Sequence, residues 1–252
     1  MLKLAFYGKG GIGKSTTVSN IALACAEKNL KVVQIGCDPK ADSTSLLLRG
    51  GRVEPVLELL RKGGAFSLDD ISCTGDGGVI CVESGGPAPG VGCAGRGIIA
   101  ALETLEKKGA FKAWNPDIVL YDVLGDVVCG GFSMPMRNGF ADWVYILTSG
   151  ENMAIHAAAN IAMAVGNFSS RGYAKLGGFI LNKRNVKNEL SKVQELAEDF
   201  NSAITGTLEW SPLVQESEEL KQCLLTAFPD SPDAEAYRRL ADEILKQVQK
   251  EK

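Results

Sequence analysis

The first sixteen residues run from a short apolar segment, "LKLAFY" (2–7), straight into "GKGGIGKST" (8–16). A strand that ends in such a turn, with helical spacing beyond it, constrains the fold more than any other feature. The glycines let backbone N–H groups surround an anion at a helix N-terminus, where the helix dipole also favours negative charge. Two patterns overlap here. Gly8, Gly10 and Gly13 satisfy G-x-G-x-x-G, a dinucleotide-binding turn, while Gly8 with Gly13, Lys14 and Ser15 satisfies G-x-x-x-x-G-K-[ST], a phosphate-binding P-loop. Asp38, closing "KVVQIGCD" (31–38), would suit the ribose of a dinucleotide. That reading leaves Lys14, Ser15 and Thr16 without work. The P-loop reading uses the whole motif: Gly8, Lys9, Gly10, Gly11, Ile12 and Gly13 cradle phosphates, Lys14 reaches them, and Ser15 ligates magnesium. It also needs a carboxylate at the end of another strand, and "DIVLYD" supplies Asp122. The sequence favours a nucleotide hydrolase using ATP and Mg2+.

Further apolar runs at 31–38, 78–84, 117–123, 142–149 and 175–182 read as buried strands. Helical spacing recurs over 14–29, 94–108, 151–166, 186–200, 213–226 and 232–249. This alternation predicts an α/β chain: a single P-loop NTPase domain over 1–252, its mainly parallel sheet covered by helices on both faces. Ligands of such sheets sit at the carboxyl ends of the strands. The glycine-rich stretch "ESGGPAPGVGCAGRG" (83–97) is too long for a simple turn and reads as a shaped loop.

A net charge of −3 gives no electrostatic case for nucleic acid or an anionic membrane. No run approaches the roughly 18 apolar residues of a membrane span, and the start is no signal peptide, so a cytoplasmic protein is expected. Seven cysteines at irregular spacing argue against a disulfide framework and suit a reducing compartment. The lone histidine, His156, reads as a polar residue on a helix. Two cysteines stand apart: Cys93 in "GVGCAGRG" and Cys129 in "GDVVCGG" are flanked by glycine, which lets backbone amides approach a charged cluster sulfur. Two thiolates cannot hold a [4Fe–4S] cluster, but a symmetric dimer supplies four if the pairs meet on the twofold axis. Cys25, Cys37, Cys73, Cys81 and Cys223 read as small buried apolar residues.

The motif "GKGGIGKS" resembles the deviant P-loop shared by partition, septum-site and arsenical pump ATPases and by nitrogenase iron proteins. That resemblance implies that Lys9 reaches across a dimer to the partner's nucleotide. The blocks "YGKGGIGKSTT", "GCDPKADST", "CVESGGPAPGVGCAGRG" and "YDVLGDVVCGGFSMPMR" are together similar to the nitrogenase iron protein family, strongly over 2–182. The family implies a homodimeric ATPase with one [4Fe–4S] cluster, held by Cys93 and Cys129 of each subunit. It would take electrons from a ferredoxin or flavodoxin and pass them to a nitrogenase or nitrogenase-like catalytic component. Within the first nucleotide-sensing switch, "DPKADS" (38–43), the family implies that Asp38 activates water and Lys40 meets phosphate, with Asp42 and Ser43 near magnesium. The second switch, "DVLGD" (122–126), would run from magnesium-side Asp122 through Asp126, a further catalytic candidate, to Cys129. Asn182 matches the adenine-contacting asparagine, and Arg96 would face the partner or carry a modification. Where the family has Pro-Arg-Asp-Asn, this chain has "LEWSPLVQESE" (208–218), so no adenine contact is carried over beyond residue 208. The stretch 51–78 diverges, and the chain ends at Lys252, short of the family's usual C-terminal extension. These departures leave the acceptor open among dinitrogen, tetrapyrrole and carbon–sulfur chemistry. A partition- or scaffold-type ATPase without redox chemistry, and an iron–sulfur carrier ATPase, are the alternative readings.

Overall fold

The computed structural model describes residues 1–86, 94–125, 134–136, 139–169 and 173–250. Strands β1 (Leu2–Tyr7), β2 (Val32–Cys37), β3 (Cys73–Thr74), β4 (Ile80–Glu83), β5 (Ile118–Val123), β6 (Trp143–Thr148), β7 (Lys175–Asn182) and β8 (Ile204–Leu208) form one sheet. Their spatial order is β3-β4-β2-β5-β1-β6-β7-β8, and every pairing is parallel except β3 with β4. The helices are α1 (Lys14–Ala26), α2 (Val56–Lys62), α3 (Ala94–Lys107), α4 (Ala110–Trp114), α5 (Asn152–Ser169), α6 (Glu189–Asp199), α7 (Pro212–Glu219), α8 (Leu224–Ala227) and α9 (Pro232–Lys250).

Strand alternation sorts the core into two layers. On β1, Ala5 and Tyr7 face one cluster with α3, α5 and α6, while Leu4 and Phe6 face the other with α1, α8 and α9. Strand β5 divides the same way: Val119, Tyr121 and Val123 join the first cluster, and Ile118 and Leu120 the second. Asp122 therefore falls on the α1 side. Period 2 alone aims this carboxylate at the phosphate-loop helix. Likewise Gln34 of β2 points to α1, where Nε2 donates to Ser19 Oγ at 3.1 Å.

The expected strands and helices are all present, with three departures. The expected helix over 213–226 is two helices, because α7 stops at Glu219 and Lys221 takes a left-handed φ of 56° before α8 begins. The edge strands β3 and β8 and the helices α2 and α4 were not expected. Cys73, read as buried, is exposed on the edge strand β3.

Candidate nucleotide site and the cluster segments

Strand β1 sits where the chain order of the sheet reverses, so the loop after it opens into the crevice that such sheets reserve for ligands. The loop needs its glycines. Gly11 and Gly13 have φ of 75° and 86°, and a Cβ on Gly8 would come within 2.5 Å of the Leu147 carbonyl oxygen. No side chain caps the N-terminus of α1, so its first N–H groups stay directed at the crevice. A Cβ at Gly10 or Gly11 would meet nothing within 4 Å, which leaves open space for an anion against the backbone.

Side chains complete the site from both ends of the sheet. Lys14 Nζ donates to Asp122 Oδ1 at 2.7 Å, with 10% and 2% of the two side chains exposed. Ser43 Oγ donates to Asp122 Oδ2 at 2.6 Å. Lys14 and Ser43, two of the groups expected on the phosphate and magnesium side, thus converge on one buried carboxylate, itself the expected Asp122. An ammonium has three N–H donors, so two remain on Lys14 for phosphate. Half-buried Asp38 has its pKa raised by burial, with Asp42 adding to the rise; the Lys40 N–H, which donates to Oδ1 at 2.8 Å, opposes it. Asn182 Nδ2 donates to the Ile12 carbonyl at 2.7 Å and Arg184 to that of Gly11 at 2.8 Å, so the end of β7 and the residues after it clamp the loop. That leaves Asn182 Oδ1 as an acceptor.

A cavity of about 440 Å³ joins these groups. It is lined by the expected residues Lys9, Gly10, Gly11, Gly13, Lys14, Ser15, Thr16, Asp38, Lys40, Asp42 and Asn182. Gly8, Ile12, Ser43 and Asp122 are buried beside it. The segment beyond residue 208, from which no contact was carried over, contributes a wall: Glu209, Trp210, Ser211, Val214, Gln215 and Glu218 line the same cavity. Trp210 is 47% exposed, and Thr16 Oγ1 donates to Glu218 Oε1 at 2.5 Å. Ser211 followed by Pro212, an N-cap and a proline at the first helical position, was the available signal that a helix starts at this wall.

The buried carboxyl of Glu83, at the end of β4, was also missed. Burial pushes its pKa up to about 8, bonds from Thr44 oppose this, and Asp122 and Asp42 add to it.

Cys93, Asp126 and Cys129 lie outside the described residues, and Arg96 is exposed on α3. The chain segments carrying the two cysteines leave the ends of β4 and β5. Both strands run parallel to β2, so these segments depart from the sheet edge that also bears the phosphate loop. Cys25, Cys37, Cys81 and Cys223 are buried with thiol pKa values raised chiefly by burial, to about 12 for Cys25 and Cys81. Burial disfavours the thiolate, the form in which cysteine ligates a metal. Among the described residues no group of three His, Cys, Asp or Glu side chains could hold a metal ion, and no helix is long and apolar enough to cross a membrane.

The family model described as "4Fe-4S iron sulfur cluster binding proteins, NifH/frxC family" matches residues 2–251. The nitrogenase iron protein of Methanospirillum hungatei JF-1 is 49% identical over 249 residues, covering 97% of this chain and 88% of the relative. The nitrogenase iron protein 2 of Methanothermobacter thermautotrophicus is also 49% identical, covering 99% and 91%. Among solved structures, the septum site-determining protein MinD complexed with Mg-ADP, from Pyrococcus horikoshii OT3, superposes with a TM-score of 0.74 at 17% identity, covering 100% of this chain and 98% of that one. This last likeness carries the fold alone: a P-loop NTPase. With the sequence blocks, the P-loop geometry and a match across nearly its whole length, the chain belongs to the NifH/frxC family of 4Fe-4S iron sulfur cluster binding proteins.

Proposed function

We propose that the protein is an ATP-hydrolysing reductase. Two single-domain subunits share one [4Fe–4S] cluster and deliver low-potential electrons to a separate nitrogenase or nitrogenase-like component in the cytoplasm. The observation that carries this reading is the convergence of Lys14 and Ser43 on Asp122, seven residues before Cys129 in the same chain segment. The donor chemistry fits a cluster: of seven cysteines four are buried thiols and Cys73 is on an edge strand, which leaves Cys93 and Cys129 as the available pair. Glycine-bordered thiolates from two subunits make the four ligands that such a cluster takes. When bound, the cluster supplies an electron at low potential and magnesium neutralises phosphate charge.

The chain's own groups do the rest. Gly10 to Thr16 bind the phosphates, and Lys14 holds the terminal ones. Asp38, with Oδ1 engaged by the Lys40 N–H, takes the proton of the attacking water at Oδ2, a task its raised pKa favours. Lys9 acts on the partner's nucleotide, which ties hydrolysis to dimer closure. Loss of the terminal phosphate frees Lys14 and Asp122, and the short backbone from Asp122 through Asp126 to Cys129 carries that change to the cluster. The segment 122–126 is the second switch, a stretch of chain whose state the γ-phosphate sets, as in GTPases.

Chelation of iron with and without MgATP tests this reading. MgATP should speed iron removal from the wild type, and Asp126→Ala should bind nucleotide yet lose the response. Identical wild-type traces would refute the link between the sites. Anaerobic co-purification of the acceptor then names the substrate.

At the base end, Trp210 offers an aromatic face where the family's Pro-Arg-Asp-Asn is missing. Stacking on a base is worth roughly 1–3 kcal/mol, so Trp210→Ala should weaken ATP binding about 5- to 150-fold while Trp210→Phe retains most of it. Quenching of tryptophan fluorescence by MgATP reads the same contact. An unchanged Kd in Trp210→Ala would remove Trp210 from the site.

A further inference from the structure

Glu83 closes β4 on the face that Cys81 shares, toward α1 and the segment 38–44. It is 1% exposed. Its Oε1 accepts two hydrogen bonds from one residue, from the Thr44 N–H at 2.7 Å and from Thr44 Oγ1 at 2.7 Å. Its Oε2 is buried with no hydrogen-bond partner. The neighbouring strand makes room for that oxygen: a Cβ on Gly36 of β2 would lie 1.9 Å from Oε2. A carboxyl with half its acceptors unused is a poor source of stability, because desolvation offsets the bonds it makes. What it does provide is a fixed position. Thr44 follows Ser43, whose hydroxyl donates to Asp122 and whose carbonyl accepts from Gln34 Nε2 at 3.1 Å and Ser19 Oγ at 3.3 Å.

We infer that Glu83 is the positioning residue of the first switch: by gripping Thr44 at two atoms it sets the Ser43 hydroxyl on the magnesium side of Asp122. This rests on the reading of 38–43 as a nucleotide-sensing segment. Two grips on one residue fix both its displacement and its rotation, which a single bond would not. The Ser43 carbonyl is held separately by Gln34 and Ser19, and Gln34 Nε2 also donates to Ser43 Oγ at 3.1 Å, so without Glu83 the segment keeps its attachment to the core while its orientation toward Asp122 rests on that single bond.

The test is titration of the full-length dimer with a fluorescent ATP analogue, with and without Mg2+. In the wild type, Mg2+ should raise affinity. Glu83→Leu should cut that Mg2+-dependent gain by about tenfold, the size of the loss of one hydrogen bond, and leave Mg2+-free affinity within about twofold. Glu83→Gln should restore most of the gain, because its amide oxygen accepts both Thr44 bonds. Thr44→Val, which removes only the hydroxyl and is the milder change if Glu83→Leu does not fold, should lose part of it, and Thr44→Ser should match the wild type. Equal loss with and without Mg2+, or a Thr44→Val protein with the wild-type gain, would overturn the assignment. A wild type whose affinity ignores Mg2+ would instead refute the magnesium-side reading itself, and it does so before any substitution is made.

Discussion

Cys93→Ser protein, purified without oxygen, is expected to be colourless, and Cys129→Ser likewise. Iron should fall from about four per dimer to near zero, because each substitution removes two of the four thiolates that a symmetric dimer can offer. Rescue from within the chain is blocked. Cys25, Cys37, Cys81 and Cys223 are buried thiols whose pKa values lie far above neutrality, and freeing any of them would break a core layer. Cys73 is exposed, but it stands opposite Cys81 in the ladder, before the end of β4 from which the Cys93 segment departs. Cys73→Ser should therefore leave iron content and colour unchanged. Four irons per dimer in Cys93→Ser would dismiss the cluster assignment.

Lys14→Ala should abolish nucleotide binding, and its stability cost must be separated from that loss. Asp122 is 2% exposed and would lose its cationic partner while keeping the bond from Ser43. Leaving one member of a buried pair uncompensated costs about 3–5 kcal/mol. Pairing Lys14→Ala with Asp122→Asn removes the stranded charge, so this double variant should regain much of the stability and none of the binding. Calorimetry alongside nucleotide titration reads both quantities. Lys9→Ala should behave differently, since Lys9 lies on the cavity wall and the loop bond it accepts from the Ile12 N–H, at 3.1 Å, goes to its backbone carbonyl, which the substitution keeps. Binding should change little while hydrolysis falls on the order of 10³-fold, the scale of a cation supplied in trans to phosphoryl transfer. An unchanged hydrolysis rate in the complete electron-transfer system would rule out a role across the dimer.

The phosphate side was legible in the sequence because its requirements are local. Glycines at fixed offsets, a lysine and a hydroxyl in one turn, and a carboxylate at a strand end can each be read from one segment. The base side was not. Trp210 and Glu218 reach the cavity because β8 lies beside β7, and "ITGTL" carries two threonines around a glycine, a weak strand signal at a sheet edge. Glu83 escaped notice for the same reason. In sequence it ends an apolar strand beside a glycine-rich loop, and only the adjacency of β4 to β2 brings it to Thr44 and Gly36. Helix α2 hid in a stretch that diverges from the family, and at seven residues it gives too few turns for a clear period.

Gly125 meets Gly8 backbone to backbone: a Cβ at 125 would lie 2.0 Å from the Gly8 carbonyl oxygen and 2.9 Å from the Lys9 Cα. For the history of such a chain this contact is a boundary. A one-letter change at position 125 displaces the loop that every turnover needs, and Gly8 cannot yield, being hemmed in by Leu147 on its other side. At position 125 the nearest atoms among the described residues are all backbone, Gly8 and Lys9, so no side-chain adjustment there makes room for a Cβ. Changes in the stretches 51–78 and 208–218, where this chain departs from the family, leave that backbone contact untouched.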